Sequence, residues 1–135
     1  MSLTVYRSAH FNAAHRLFRE DWSDAKNKEI FGKCSNPHYH GHNYELEVGI
    51  TGAVDDETGF LIDLKILKNI IKEEVENPLD HKNLNVEVAD FKDLNPTVEN
   101  IAVVIWNRLR KRIGAEYDVS VKLFETPRNF VVYTG

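Results

Sequence analysis

A single cysteine in 135 residues excludes a disulfide framework, and no stretch approaches the roughly 18 consecutive apolar residues that a membrane-spanning helix needs. The N-terminus MSLTVYRSAHF lacks the apolar run of a signal peptide, so the expected compartment is the cytosol. Positive charge is in short supply as well. Seventeen Lys and Arg stand against 21 Asp and Glu, and a net charge of −4 argues against a general nucleic-acid or anionic-membrane binder. Linkers, internal repeats and low-complexity segments are also missing. A hydrophobic content of 42% over 135 residues suffices for one compact core and is too little for two. The expectation is therefore a single domain over residues 1–135 that acts on a small molecule.

Two periodicities run through the chain. Val5, Arg7, Ala9, Phe11, Ala13 and His15 share one face of a first strand, and Tyr44, Leu46, Val48 and Ile50 one face of a second, with His40 and His42 in the same phase. VDDETG reads as a turn into a short strand, FLID, whose Asp63 can cap a helix with Leu64, Leu67, Ile70 and Ile71 at helical spacing. That helix is expected to end near Asn77–Pro78. In NPTVENIAVVIWNRLRKRIG, Asn95 or Thr97 can cap a second helix, Pro96 suits its first turn, and Val98, Ile101, Ala102, Ile105 and Leu109 form its buried stripe. Gly114 suits a left-handed stop, and Arg108, Arg110, Lys111 and Arg112 read as a solvated face that complements the helix dipole. Two strands close the chain around Thr-Pro-Arg-Asn. The order β, β, β, α, α, β, β implies an α+β fold, an antiparallel sheet with helices on one face.

Three of the six histidines and the lone cysteine fall within GKCSNPHYHGHNY. In an extended chain His40 and His42 project to one side, about 6.5 to 7 Å apart, close enough to converge on one ion at roughly 2.0 to 2.1 Å. A third ligand is needed, and His15 is in phase with Phe11 and Ala13, whereas His10 is one residue out of phase. Three neutral imidazoles without a second cysteine suit a catalytic zinc, whose fourth position is open to water or substrate. Spacing alone leaves the alternative of surface or hydrogen-bonded histidines open, and Fe(II), Co(II) or Ni(II) would accept the same ligands. His38 lies two residues before His40, with Pro37 set to break the strand there.

In this order, FNAAHRL, GKCSNPHYHGHNY, DETGFLIDL, PLDHKNLN, PTVENIAVVIW and ETPRNFVVY resemble the 6-pyruvoyl-tetrahydropterin synthase family, from about residue 7 to residue 133. The resemblance implies zinc held by His15, His40 and His42. It also implies the tunnelling fold, a four-stranded antiparallel sheet with two helices on one face that assembles into barrels, commonly hexamers, with active sites between subunits.

By the same resemblance Cys34 is the general base, and Asp80 orients His81, which exchanges protons with Cys34 or the substrate; a neighbouring imidazole or metal favours a thiolate. From the residues alone, Cys34 reads equally as an inert small hydrophobe, Asp80 as a turn cap and His81 as an exposed side chain. Glu125 ends a strand in phase with Val119, Val121 and Leu123. Either it is exposed at the strand end or, as the resemblance implies, it anchors a pterin through the 2-amino group and ring N–H. Thr97 and Glu99 resemble residues of the same pocket, although a cap and a first-turn acid also account for them. Arg16, Lys33, Lys82 and Arg128 lie in or beside these motifs as candidates for phosphate.

The implied activity is a zinc-dependent carbon–oxygen lyase that converts 7,8-dihydroneopterin triphosphate to 6-pyruvoyl-tetrahydropterin. The alternative is 6-carboxy-tetrahydropterin synthase of queuosine biosynthesis. The spacing C-x5-H-x-H resembles the animal pyruvoyl synthases, whereas many queuosine enzymes have a shorter gap. A folate-feeding subtype usually carries glutamate in place of the cysteine, so Cys34 disfavours it. A non-catalytic zinc-binding module is the reading from another class.

Overall fold

In the computed structural model, which describes residues 2–135, the two strands expected from alternation are long and paired throughout. Strands β1 (Ser2–His15) and β2 (His40–Ala53) run antiparallel from Ser2↔Ala53 to His15↔His40. Strand β4 (Asp118–Thr126) pairs with the other edge of β2, and β5 (Asn129–Tyr133) with β4, both antiparallel. One further strand, β3 (Lys82–Asn83), lies parallel to β1 opposite Ala13 and Ala14, which gives the order β3-β1-β2-β4-β5. The sheet is thus five-stranded and mixed, not four-stranded and antiparallel.

The difference has two local causes. FLID does not form a strand: Leu61 inserts into the core with Ile62 packed partly against it, and the Leu61 carbonyl accepts the Tyr117 hydroxyl at 3.0 Å instead of a ladder hydrogen bond. The extra strand forms because the chain after Pro78 folds back on β1. The Asn12 amide donates to Asp80 Oδ1 at 2.8 Å, and the His81 amide donates to the Asn12 carbonyl at 2.6 Å. Two residues are too few to carry a periodic signal.

Helix α2 (Leu64–Ile71) starts where Asp63 caps it, accepting from the Lys65 amide at 2.8 Å, and continues through a π-helical turn, Lys72–Glu76, into α3 (Asn77–Leu79). The short α4 (Leu84–Glu87) precedes α5 (Val98–Arg110), whose cap is Thr97, accepting from the Asn100 amide at 3.2 Å. Phe11, Tyr44, Leu46, Val48, Ile50, Val121 and Leu123 on one sheet face meet Leu67, Ile71, Val75, Ile101, Ile105 and Leu109 in one hydrophobic core. Leu64 departs from the expected stripe and is exposed, since the first helical position lies beyond the edge of that core.

Gly114 does not supply a left-handed stop. It has no positive φ, and the carbonyls beyond α5 are taken by the Arg110 guanidinium, which donates to Ile113 and Tyr117. Three of the four basic residues are also tertiary ties, with only Lys111 left as purely solvated: Arg108 pairs with Asp90 at 2.6 Å, Arg110 donates to the carbonyls just named, and Arg112, though exposed, pairs with Glu73 and Glu74. A helix without an apolar stripe, α1 (Asp24–Phe31), was not legible from periodicity. It is pinned by buried Asn27, which accepts from the Arg19 amide and donates to the Arg19 carbonyl. No helix among the described residues is long and apolar enough to cross a membrane.

Candidate metal centre and its surroundings

Strand register places His15 opposite His40 and Ala13 opposite His42, so three imidazoles on the core-facing side meet where β1 ends and β2 begins. Their ring centroids are 4.5 Å (His15–His40), 5.1 Å (His15–His42) and 5.0 Å (His40–His42) apart, and the rings meet edge-on. One nitrogen from each lies within 4.8 Å of the others. Ligands of a tetrahedral zinc with bonds of about 2.05 Å stand roughly 3.3 Å apart, a separation that this bound admits. His10 and His38 lie outside the group. His10 is on the opposite sheet face, in register with Glu45, and His38 is exposed before β2.

Four buried nitrogens here have no hydrogen-bond partner: His15 Nε2, His40 Nδ1, His40 Nε2 and His42 Nε2. Such groups are costly to bury unless something binds them. The remaining nitrogen of His15, Nδ1, donates to the Pro96 carbonyl at 2.7 Å, which fixes the tautomer and leaves the Nε2 lone pair facing the cluster. Burial pushes the His15 pKa down to about 4, opposed by the Pro96 hydrogen bond and aided by His40 and His42. His40 is shifted the same way by burial and by His42, against the charge of Glu125. Neutral imidazoles with free lone pairs are what a divalent metal requires, so the residues fit a metal ion.

Below the triad, the Tyr44 hydroxyl is 3.4 Å from His15 Nδ1, and its ring stacks on Phe11 with centroids 4.9 Å apart. Burial, followed by the charges of Glu125 and Cys34, disfavours its ionisation. Reading the sequence missed both Tyr44 and the Pro96 carbonyl. Tyr44 carried a signal, its phase with His40 and His42; a backbone carbonyl carried none.

Glu125 lies beside the triad, with Oε1 3.9 Å from His42 Nε2. The β4–β5 register shifts between Phe124 and Thr126, so regular pairing is interrupted at Glu125. His42, Phe124, Glu125 and Thr126 line a cleft of about 660 Å³ together with Glu45 and Glu47 of β2. That volume is within the range of small-molecule sites.

The other candidates are not all brought together. Cys34 is half-buried on the 3₁₀ turn Gly32–Ser35, its carbonyl accepting from the Leu17 amide at 2.8 Å. Thr97 follows Pro96 directly and is occupied in capping α5, while Glu99 is exposed on the first turn of that helix. Asp80 and His81 form a pair of their own, His81 Nδ1 to Asp80 Oδ2 at 3.0 Å, at the β1 edge beside Asn12. Hydrogen bonding to the Asn12 amide, then to His81, holds the Asp80 carboxyl below its usual range. Neither residue is a hydrogen-bond partner of Cys34, and the His81 side chain is 83% exposed. Among the described residues, Tyr39 and His81 are the two non-glycine residues with positive φ, 68° and 60°, and stand next to His40 and Asp80 respectively. Backbone strain of this kind gathers at functional sites.

The family profile described as 6-pyruvoyl tetrahydropterin synthase matches residues 4–135. A 6-pyruvoyl tetrahydrobiopterin synthase of Pongo abelii is 46% identical over 131 residues, which cover 97% of this chain and 90% of that one. The solved 6-pyruvoyl tetrahydropterin synthase of Caenorhabditis elegans superimposes with a TM-score of 0.94 at 39% identity, covering 100% of this chain and 96% of that one. A 6-carboxy-5,6,7,8-tetrahydropterin synthase of Rickettsia felis is more distant, 29% identical over 143 residues, covering 93% of this chain and 95% of its own.

Proposed function

The chain belongs to the 6-pyruvoyl tetrahydropterin synthase family, and on that footing we propose that it is a zinc-dependent carbon–oxygen lyase converting 7,8-dihydroneopterin triphosphate to 6-pyruvoyl-tetrahydropterin and triphosphate. The observation that carries this reading is the triad of converging imidazoles whose buried nitrogens have no partner, with a carboxylate 3.9 Å from one of them. His15, His40 and His42 would hold the zinc. When bound, zinc supplies a Lewis acid that polarises the hydroxyls of the substrate side chain.

The chain's own residues do the rest. Glu125 accepts hydrogen bonds from the pterin 2-amino group and ring N–H, which suit its two oxygens, and thereby seats the ring in the cleft beside Phe124. Thr97 and Glu99 would face the same substrate, although neither lines the cleft within one chain. Cys34 removes a proton from the side-chain carbon, and His81, oriented by Asp80, exchanges protons with Cys34 or the substrate. Hydrogen is redistributed within the substrate toward the ring and triphosphate leaves, so the reaction needs no external redox cofactor.

We also propose that the protein works as a homo-oligomer, a hexamer in the family's manner, with each site shared between copies. Two features support this. The outer edge of β1 from Ser2 to Phe11 and the outer edge of β5 have no partner strand within the chain, and apolar Leu3, Tyr6, Phe130 and Val132 are exposed on them. The Asp80–His81 pair also has no bond to Cys34 of its own chain. Incubation with dihydroneopterin triphosphate and mass identification of the product tests the reaction. A pyruvoyl product is expected. A carboxy product would assign the chain to the queuosine reaction, for which the weaker similarity at 29% identity speaks. Zinc bound without turnover would leave a non-catalytic module.

A further inference from the structure

The carbonyl that accepts from His15 Nδ1 belongs to buried Pro96, which sits on a turn whose direction is set by its neighbours. Three hydrogen bonds set it. The Thr97 amide donates to the Asn95 carbonyl at 2.8 Å across Pro96, and the Asn100 side chain donates through Nδ2 to the same carbonyl at 2.8 Å. The Phe18 amide donates to Asn95 Oδ1 at 3.4 Å, which ties the turn to the exit of β1. Pro96 is thus the middle residue of a three-residue turn, its φ restricted by the ring and the carbonyl before it held by two donors.

Asn100 is ill-suited to its position if its task is only to start α5. Thr97 is the cap, so Asn100 is the third helical residue, where Glu or Gln would accept from the cap's own amide and an acid would favour the helix dipole. Asparagine is also a weak helix former. Here the Thr97 amide is already taken by Asn95, and Asn100 donates backwards to the turn. Its acceptor is a carbonyl, so the side-chain nitrogen is the atom that faces it.

The backbone after His15 is held without Asn100. Four successive amides are engaged: Arg16 with Asn85 Oδ1, Leu17 with the Cys34 carbonyl, Phe18 with Asn95 Oδ1 and Arg19 with Asn27 Oδ1. Rotation of the imidazole is what these bonds leave free. The Tyr44 hydroxyl, 3.4 Å from Nδ1, is too distant to replace the 2.7 Å bond to Pro96. With the Pro96 carbonyl turned away, the ring proton is free to reside on Nε2, the atom that must stay bare for a metal. We propose that Asn100 is a positioning residue of the imidazole centre: by holding the Asn95–Pro96 turn it keeps His15 in the Nδ1–H form, with Nε2 available to the cluster. The proposal rests on the metal reading under Proposed function and deepens it. A backbone carbonyl cannot be removed by substitution, so Asn100 is the point at which this control is open to mutation.

The test uses the full chain, metal-free and then loaded with Co(II), at a fixed pH of about 8, where imidazoles are neutral. Asn100→Asp keeps the shape, sets an acceptor against the Asn95 carbonyl and suits the first turn of a helix. Its added negative charge by itself favours a bound cation, so a loss of metal affinity has to come from geometry. Long-range ¹H–¹⁵N NMR of the metal-free protein should show His15 as the Nδ1–H tautomer in the wild type, with a substantial share of Nε2–H in Asn100→Asp. Co(II) affinity against a competing chelator should fall roughly tenfold, with a shifted ligand-field spectrum. Asn100→Ala, which removes the donor without adding charge, should behave alike. Arg108→Ala, a destabilising change about two turns further along α5, should keep the tautomer and spectrum and hold affinity within about twofold. Wild-type tautomer and affinity in Asn100→Asp, or equal losses in Arg108→Ala, overturn the assignment. Because the tautomer is read without metal, an Asn100-dependent tautomer in a protein that binds no Co(II), or does not turn over dihydroneopterin triphosphate, upholds the positioning and overturns the reading under Proposed function instead.

Discussion

Without metal, the imidazole centre should make the protein acid-sensitive in a window set by His15. Its folded pKa is near 4 against an ordinary 6.5, with burial as the main cause. Between those values the unfolded chain binds a proton that the folded one refuses, so stability rises with pH across the window. The contribution is complete above 6.5 and is lost as pH falls toward 4. A displacement of about 2.5 pH units at 1.36 kcal/mol each amounts to roughly 3 kcal/mol, a large share of a typical domain's stability. His40, shifted in the same direction, adds to the slope. The carboxylates with depressed pKa, Asp80 and Asp90 among them, act in a lower window, because their stabilisation is lost only as pH drops below about 3.8. Urea unfolding at fixed protein concentration in the presence of a chelator, at intervals from pH 7.5 to 4, measures the slope. In His15→Leu the titrating ring is absent, so about 3 kcal/mol of the pH dependence should vanish, whatever the variant's starting stability after loss of the Pro96 hydrogen bond. An unchanged slope in His15→Leu would refute the assignment of acid sensitivity to this residue.

Cys34→Ala should fold and keep its zinc, since no proposed ligand is touched, while turnover of dihydroneopterin triphosphate falls by about 10²- to 10⁴-fold. A wild-type rate in steady-state assay would transfer the role of base to His81. Glu125→Gln presents a donor to the pterin's donors and should weaken pterin binding by roughly 1 to 3 kcal/mol with zinc content unchanged. Calorimetry with a pterin reads the first quantity and metal analysis the second. Mixing inactive Cys34→Ala and His81→Ala proteins under conditions that exchange subunits should restore part of the activity, because each site then draws one intact residue from each copy. No recovery despite proven exchange would place both residues in one chain's site. Arg108→Ala removes the half-buried pair with Asp90 and the hydrogen bond to the Glu74 carbonyl, and should cost about 1 to 3 kcal/mol in unfolding experiments without altering KM.

Legibility followed periodicity. Fourteen-residue strands and the stripe of α5 repeat often enough for phase to be unambiguous, and that phase assigned His15, His40, His42 and Glu125 to one side of the sheet. Elements defined by one or two contacts left no such trace. Leu61 is a single inserted side chain, β3 is two residues long, and α1 is held by the two hydrogen bonds of Asn27 and not by an apolar face. The basic run after Arg108 was misjudged for a related reason: its acids, Asp90, Glu73 and Glu74, are 18 to 39 residues away in the chain, and composition cannot show which charges meet.

The same distinction divides the candidate site into two mechanical parts. The imidazoles sit at the end of a fully paired ladder, where a shift of one residue would turn every side chain of β1 to the other face, so their convergence is secured by the core as a whole. Cys34, Asp80 and His81 are instead set by individual hydrogen bonds at a 3₁₀ turn and a strained left-handed residue. Changes to the first group therefore act on stability and metal together. Under the proposed roles, changes to the second should act on turnover while the fold stands. The centre's own composition opposes folding, since four buried nitrogens lack partners until something binds them, and ligand binding to the folded state alone raises stability by mass action. Zinc affinity and folding stability should for that reason move together when a histidine is changed, and independently of each other when Cys34 or His81 is.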